Sequence, residues 1–314
     1  MKYVIMACPG IGYGDSLCML SIAQDLKKDG HEVVVMATHG EVFFGQMGVD
    51  RLYWTGNSGG FWEKECRDNK VLTFPYWEIS GRMRNLQDTL LNTLRDMAGL
   101  DPATEFPTVR VSESDESFAK ELKSKLGREY VVIHRGLGRP IKLMSMDTTV
   151  EVVEALKEKY EVVQVGYPHD PHIPGTLDLT KGTGFTRSIA VMELSEFIVG
   201  HDSMPNHLSG MIEVPGVFVF GPTSPMDFGY GHNENIFMGS CSQDEGGAPC
   251  GRPATWFYDY LPKEGGGVRD WECPNRTCID GVTSSMIMTA VEKLQSRIVK
   301  GIDWTPRGGL IACD

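Results

Sequence analysis

The side chains best able to do chemistry crowd into one stretch, Val199 to Pro225. Asp202, Ser203 and His207 stand there together, an acid, a hydroxyl and an imidazole shared between a polar loop and the helix that follows. Glu196 to Val199 reads as a buried parallel strand that stops at Gly200. Asp202 and Ser203 suit the cap of a helix whose first turn holds Pro205 and whose inward face is Leu208, Met211 and Ile212. Val217 to Phe220 is a second buried strand, closed by Gly221-Pro222. Polar groups thus gather at a strand's carboxyl end, where open α/β sheets bind ligands, and the N–H groups of a helix start suit a phosphate. Spacing alone also fits any α/β domain with a polar loop, and a His207 buried for packing only.

Sulfur forms a second cluster. Of eight cysteines, Cys8, Cys18, Cys66 and Cys313 are scattered, while Cys241, Cys250, Cys273 and Cys278 are spaced C-x8-C-x22-C-x4-C. The last pair has ordinary zinc spacing and the first does not, so structural zinc and free thiols both fit, with disulfides behind them. Four thiolates would close the shell of a zinc ion, which would staple the segment 240–280 and leave catalysis to other groups.

The elements that must position these groups alternate in type. Lys2 to Ala7 is an apolar first strand, followed by the glycine-rich Pro9 to Asp15 and a helix from about Ser16 to Lys28. Glu32 to Ala37 completes a βαβ opening. Glycines 10, 12 and 14 lack the final spacing of a dinucleotide fingerprint, and no acidic residue closes the second strand, which argues against NAD. Trp54, Phe61, Trp62, Tyr76 and Trp77 are suited to stack on a sugar or base, or to fill a core. Arg82 to Ala98 reads as an amphipathic helix with a solvated basic face of Arg82, Arg84 and Arg95. A polar, proline-containing stretch from Asp101 to Glu116 marks a domain boundary. Beyond it, strands at Tyr130–His134, Glu161–Val165 and Thr176–Leu179 alternate with helices at Ser117–Leu126, Asp147–Lys159 and Ser188–Leu194. Residues 240–272 form an irregular insertion, Thr283 to Val299 a last helix, and the tail after Gly301 is expected to be loosely ordered.

Composition bounds the function. The 314 residues suffice for two domains, with 41% hydrophobic and 23% charged residues, as in ordinary globular proteins. A net charge of −12 opposes non-specific binding to nucleic acid or anionic lipid. No apolar run approaches the roughly 20 residues of a membrane helix, and Met1 to Ala7 lacks a signal-peptide pattern, so a cytoplasmic location is expected.

The literal residues add a resemblance. Gly200-His201-Asp202-Ser203 with His207, then Phe220-Gly221-Pro222-Thr223-Ser224-Pro225, resembles the G-x-D-[ST]-G-x-x-H … F-G-P-T-x-P signature of the heptosyltransferase-like glycosyltransferases of family 9, with Met204 where that family carries glycine. Gly12-Tyr13-Gly14-Asp15, Val131 to His134 with Lys142, Thr176 to Thr180, and Cys273-Pro274 to Cys278 resemble further family elements. The resemblance implies an α/β GT-B fold of two Rossmann-like, doubly wound domains facing a cleft. The expected division is 1–112 for the acceptor, 113–300 for the nucleotide sugar, and a tail at 301–314. It further implies inverting transfer of a sugar from a nucleotide-sugar donor to a hydroxyl, with no cofactor required. Asp15 would be the base, or alternatively only a helix cap. Lys142, beside Arg135 and Arg139, would bind the donor phosphates, though a single lysine is usually just solvated. Gly14 and His134 join the donor site, Asp202 takes sugar hydroxyls, Ser203 phosphate, His207 phosphate or ring contacts, and Thr223 lies on a donor-facing loop. A lipid-linked glycan, a small molecule and a modified nucleic acid base all remain open as acceptors. A nucleotide-sugar epimerase or hydrolase and a non-catalytic sugar-nucleotide-binding subunit are the alternative functions.

Overall fold

The computed structural model describes residues 1–7, 11–57, 59–75, 78–79, 82–83, 88–136, 142–238 and 277–308. Lys2–Ala7 (β1), Tyr13–Lys28 (α1), Glu32–Ala37 (β2), Arg51–Trp54 (β3) and Lys70–Thr73 (β4) build a first parallel sheet of order β3-β2-β1-β4. Leu90–Ala98 (α2) packs against α1. The second sheet has the order β10-β9-β8-β5-β6-β7, again parallel. Its elements in chain order are Glu113–Leu126 (α3), Tyr130–Ile133 (β5), Met146–Lys157 (α4), Glu161–Gln164 (β6), Leu177–Asp178 (β7), Phe185–Glu193 (α5), Ile198–His201 (β8), Met204–Met211 (α6), Gly216–Phe220 (β9), Pro225–Phe228 (α7), Glu234–Phe237 (β10), Thr277–Asp280 (α8) and Ser284–Lys300 (α9).

Runs such as Val33–Val35 and Val217–Phe220 are apolar at every position because helices cover both faces of such sheets, and these residues are buried. In each sheet the strand order reverses beside the strand that enters it first. The reversal lies between β1 and β4 in one sheet and between β5 and β8 in the other. A crevice opens at the carboxyl ends of strands where the order reverses. Gly12 and the first turn of α1, through Asp15, come after β1 in the chain, and His134 and Asp202 follow β5 and β8.

The two sheets share core. One buried cluster runs from Leu17, Leu20 and Leu91 to Val132, Leu208 and Phe218, while a second, with Val131, Ile133, Ile287 and Leu294, lies on the other side of the second sheet. Helices α1 and α6 form the seam. Gly14 makes their approach possible: a Cβ there would lie 2.4 Å from Cδ2 of His207.

Several elements differ from the sequence reading. α2 begins only at Leu90, because the Thr89 hydroxyl caps it by accepting from the Asn92 N–H at 3.3 Å. Arg95 is buried, donating to Ser21 at 2.7 Å and pairing with Asp25 at 2.7 Å, so it belongs to packing and not to a solvated basic face. α1 starts at Tyr13, earlier than expected, because Asp15 Oδ2 accepts from the Gly12 N–H at 2.7 Å and secures the first turn. The segment 301–308 is held, contrary to a loose tail. Gly231 N–H donates to the Arg307 carbonyl at 3.0 Å, and the Trp304 ring lies 5.0 Å from that of His232. The insertion expected at 240–272 lies outside the described residues.

The seam is the place where added volume has no room. Gly14→Ala is expected to destabilise the chain by about 1–3 kcal/mol, the usual cost of overpacking. Urea denaturation of wild type and variant measures it, and an unchanged midpoint would mean that the two helices separate freely.

Candidate active site

A cavity of about 970 Å³ lies at the strand ends of both sheets. Gly14, Asp15, His134, Lys142, Asp202, Ser203 and His207, all singled out from sequence, line it. Thr223 does not. It is buried, and its hydroxyl donates to Asp202 Oδ2 at 2.5 Å, so it stands behind the site and supports an acid, where a loop facing the donor was expected.

Asp202 sits at the end of β8, its backbone N–H bonded to the Val219 carbonyl at 3.0 Å. Its buried carboxylate also receives the Lys142 ammonium. Burial pushes this carboxyl up, but Lys142 and the Thr223 hydroxyl outweigh it and hold Asp202 below the usual carboxylate range. The ion pair keeps a cation at the cavity wall. Among the described lining residues, Lys142 carries the one permanent positive charge.

Histidines surround that pair. His207 is buried on α6, with Nδ1 2.9 Å from the Tyr230 hydroxyl and 3.7 Å from Cys18 Sγ. Burial lowers its pKa, opposed by the charges of Asp202 and Asp15. Cys18, one of the scattered cysteines, has its thiol pushed up to about 12 by burial, so it is a neutral neighbour of His207 and no nucleophile. Ser203 begins α6 without capping it through its side chain. Its hydroxyl lies 3.2 Å from His134 Nδ1 and donates to the His201 carbonyl at 3.2 Å. The His134 and His201 rings stack at 5.5 Å. At the start of α6, Pro205 has no N–H and the Asn206 N–H donates to the Ser203 carbonyl at 3.1 Å, so this helix start offers the cavity at most the N–H of Met204.

Sequence reasoning missed the groups supplied by separate loops. Tyr13 donates its hydroxyl to Glu41, and its ring meets His39, Phe185 and Tyr167, joining the two sides of the cavity. Asp170 is buried, with Oδ2 accepting from the Tyr167 N–H at 2.6 Å. Gly166 allows that contact, since a Cβ there would lie 2.3 Å from Asp170 Oδ2. No motif ties Glu41, Asp170 or Tyr230 to the central signature; only the fold brings them to it.

Among the described residues, no group of three or more His, Cys, Asp or Glu side chains is arranged to hold a metal. Cys278 is buried beside Ile279 and Val282. Cys241, Cys250 and Cys273 lie outside the described residues, and so does the zinc assignment that rests on them. Among the described residues, no helix is long and apolar enough to cross a membrane.

Burial makes the histidines pH-sensitive. His134 is pushed down to about 4 by burial, against the pull of Asp170, and His201 to about 3 by burial and by His134. An unfolded histidine takes up its proton near pH 6.5, which folded His134 refuses until about pH 4. Its contribution to stability is therefore complete above pH 6.5 and is lost as pH falls toward 4, by about 3 kcal/mol at roughly 1.4 kcal/mol per pKa unit. Urea titrations at pH 7 and pH 4 should show His134→Asn losing about 3 kcal/mol less than wild type between the two. Equal losses would mean that His134 is not held neutral.

Comparison with known proteins now bears on this geometry. The model of glycosyltransferase family 9 (heptosyltransferase) matches residues 82–252, more than half of the chain. No curated protein matches. A solved glycosyl transferase of family 9 from Veillonella parvula DSM 2008 aligns with a TM-score of 0.66 at 14% identity, covering 96% of this chain and 97% of that one. The ADP-heptose lps heptosyltransferase II of E. coli aligns at 0.61 and 15% identity, covering 94% and 98%. The iron-containing dodecameric glycosyltransferase TibC of enterotoxigenic E. coli H10407 aligns at 0.62 and 15% identity, covering 94% and 76%. At such identities these structures speak for the fold, and they bear out the expected GT-B arrangement of two Rossmann-like halves. The family match covers the signature from Gly200 to Pro225, and the chain belongs to glycosyltransferase family 9, the heptosyltransferase family.

Proposed function

We propose that the chain moves a sugar from a nucleotide-sugar donor to an acceptor hydroxyl with inversion at the anomeric carbon. The observation that carries this reading is one cavity lined by Asp15 from the first sheet and by the Lys142–Asp202 pair from the second. His207 lines the same cavity and feels the charge of all three groups. The solved E. coli heptosyltransferase WaaC with ADP and TibC with ADP-D-beta-D-heptose support a nucleotide-sugar donor.

Asp15 is the base. Its carboxylate takes the acceptor proton as the acceptor oxygen bonds to the anomeric carbon on the face opposite the donor phosphate. The bond from that carbon to the phosphate oxygen breaks, and its electron pair leaves with the nucleotide diphosphate. Lys142 meets the charge that develops there. The Ser203 hydroxyl, beside His134, can turn its one proton from the His201 carbonyl to a phosphate oxygen, and neutral His207 adds a ring contact that brings no further charge. Asp202 holds Lys142 in place and can accept from a donor sugar hydroxyl. The bond from Gly12 N–H to Asp15 is compatible with this role, because a carboxylate has lone pairs for more than one partner.

Thermal shift with ADP, UDP, GDP and CMP tests the donor site. A nucleotide at roughly 100 times its dissociation constant adds about 2.7 kcal/mol of stability. One of the four is expected to stabilise the wild type. It should stabilise Lys142→Gln much less, since that variant keeps an amide to meet Asp202 but loses the cation. Equal shifts in both proteins, or no shift with any nucleotide, would refute the donor site as drawn.

A further inference from the structure

The wall beyond Asp15, on the side away from Lys142, has chemistry of its own. Trp54 ends β3 and is 43% exposed, yet its indole lies flat on the chain at Gly40, where a Cβ would fall 2.7 Å from two ring carbons. His39 follows with its ring 3.9 Å from that of Tyr13, and the Tyr13 hydroxyl donates to Glu41. All four residues line the cavity. Tyr13 stands two residues before Asp15 in the first turn of α1, so this wall adjoins the proposed base, and burial holds the His39 imidazole below its ordinary pKa.

We propose that Trp54, His39, Tyr13 and Glu41 form the acceptor subsite and that it takes an uncharged sugar ring. The inference rests on the transferase reading above. The C–H face of a pyranose is apolar and weakly positive, and it packs on the electron-rich face of an aromatic ring. Its hydroxyls need acceptors, and Glu41 retains lone pairs after receiving the Tyr13 hydroxyl. Phosphorylated or carboxylated acceptors meet two carboxylates of like sign here, on a chain whose net charge is already −12. A flat aromatic surface beside an acid thus selects ring faces and hydroxyls and repels anions.

Saturation-transfer NMR on the full chain tests the assignment, with maltose, cellobiose and lactose as neutral probes and glucose 6-phosphate as the anionic one. At least one neutral disaccharide is expected to give transfer to its ring C–H protons. The signal should fall about fivefold or more in Trp54→Ala and only partly in Trp54→Phe. Glu41→Gln, which keeps the contact with Tyr13 and loses the charge, should raise the glucose 6-phosphate signal relative to the neutral sugars. Nucleotide thermal shifts should be the same in these variants as in wild type. No transfer from any neutral sugar, a neutral signal indifferent to Trp54→Ala, or stronger binding of glucose 6-phosphate by wild type would overturn the proposal. Absence of a nucleotide shift in the wild type is a separate outcome: it removes the donor site and leaves sugar binding at Trp54 to be judged by its own signal.

Discussion

The contact between Gly14 and His207 is the constraint on which the site depends. A hydrogen in place of a side chain lets α1 of the first sheet lie against α6 of the second. That approach brings Asp15, one residue on, within electrostatic reach of a histidine that also feels Asp202 and Lys142. Each sheet alone offers half of a reactive arrangement. The first carries the acid Asp15, and the second carries a buried ion pair at a helix start. The proposed transfer needs both halves, so it depends on the packing of these two helices.

Electrostatics divides the cavity further. Toward the second sheet, the Lys142 ammonium is held by a carboxylate whose own charge survives burial because Lys142 and Thr223 support it. An unpaired ion at that depth would be costly, and the pair also places the cation where a leaving phosphate can meet it. Histidines 134, 201 and 207 are kept neutral by burial, so they shape and orient without adding charge. Toward the first sheet the wall is aromatic and acidic. A fixed cation on one side and an aromatic, acidic wall on the other suit the anionic donor and the uncharged acceptor proposed above.

The second sheet was largely legible in the sequence, since β5, β8 and β9 are short apolar runs with no competing helical period. Asp202, Ser203 and His207 were legible for the same reason, being tied by spacing to the end of one strand. Thr223 was placed in the right region but given the wrong orientation, because nothing in Gly221-Pro222-Thr223 tells whether a hydroxyl faces a cavity or supports a buried acid. Arg95 was misread because its partners, Ser21, Asp25 and the Asp101 carbonyl, lie elsewhere in the chain. Glu41, the Tyr167–Asp170 loop and Tyr230 come from three separate segments, and their convergence is a property of the fold with no local signal. The held segment 301–308 was missed because its contacts with Tyr230, Gly231 and His232 are tertiary.

The role of Asp15 is the central claim, and turnover by Asp15→Asn tests it most directly. The donor is the nucleotide sugar whose nucleotide best stabilises the chain, and transfer and nucleotide affinity are measured on the same preparation. General-base catalysis contributes about 10²–10⁴-fold, so kcat should fall by that amount while the nucleotide dissociation constant stays within about threefold. Turnover within about tenfold of wild type, with nucleotide binding intact, would assign Asp15 to the cap of α1 and place the base elsewhere.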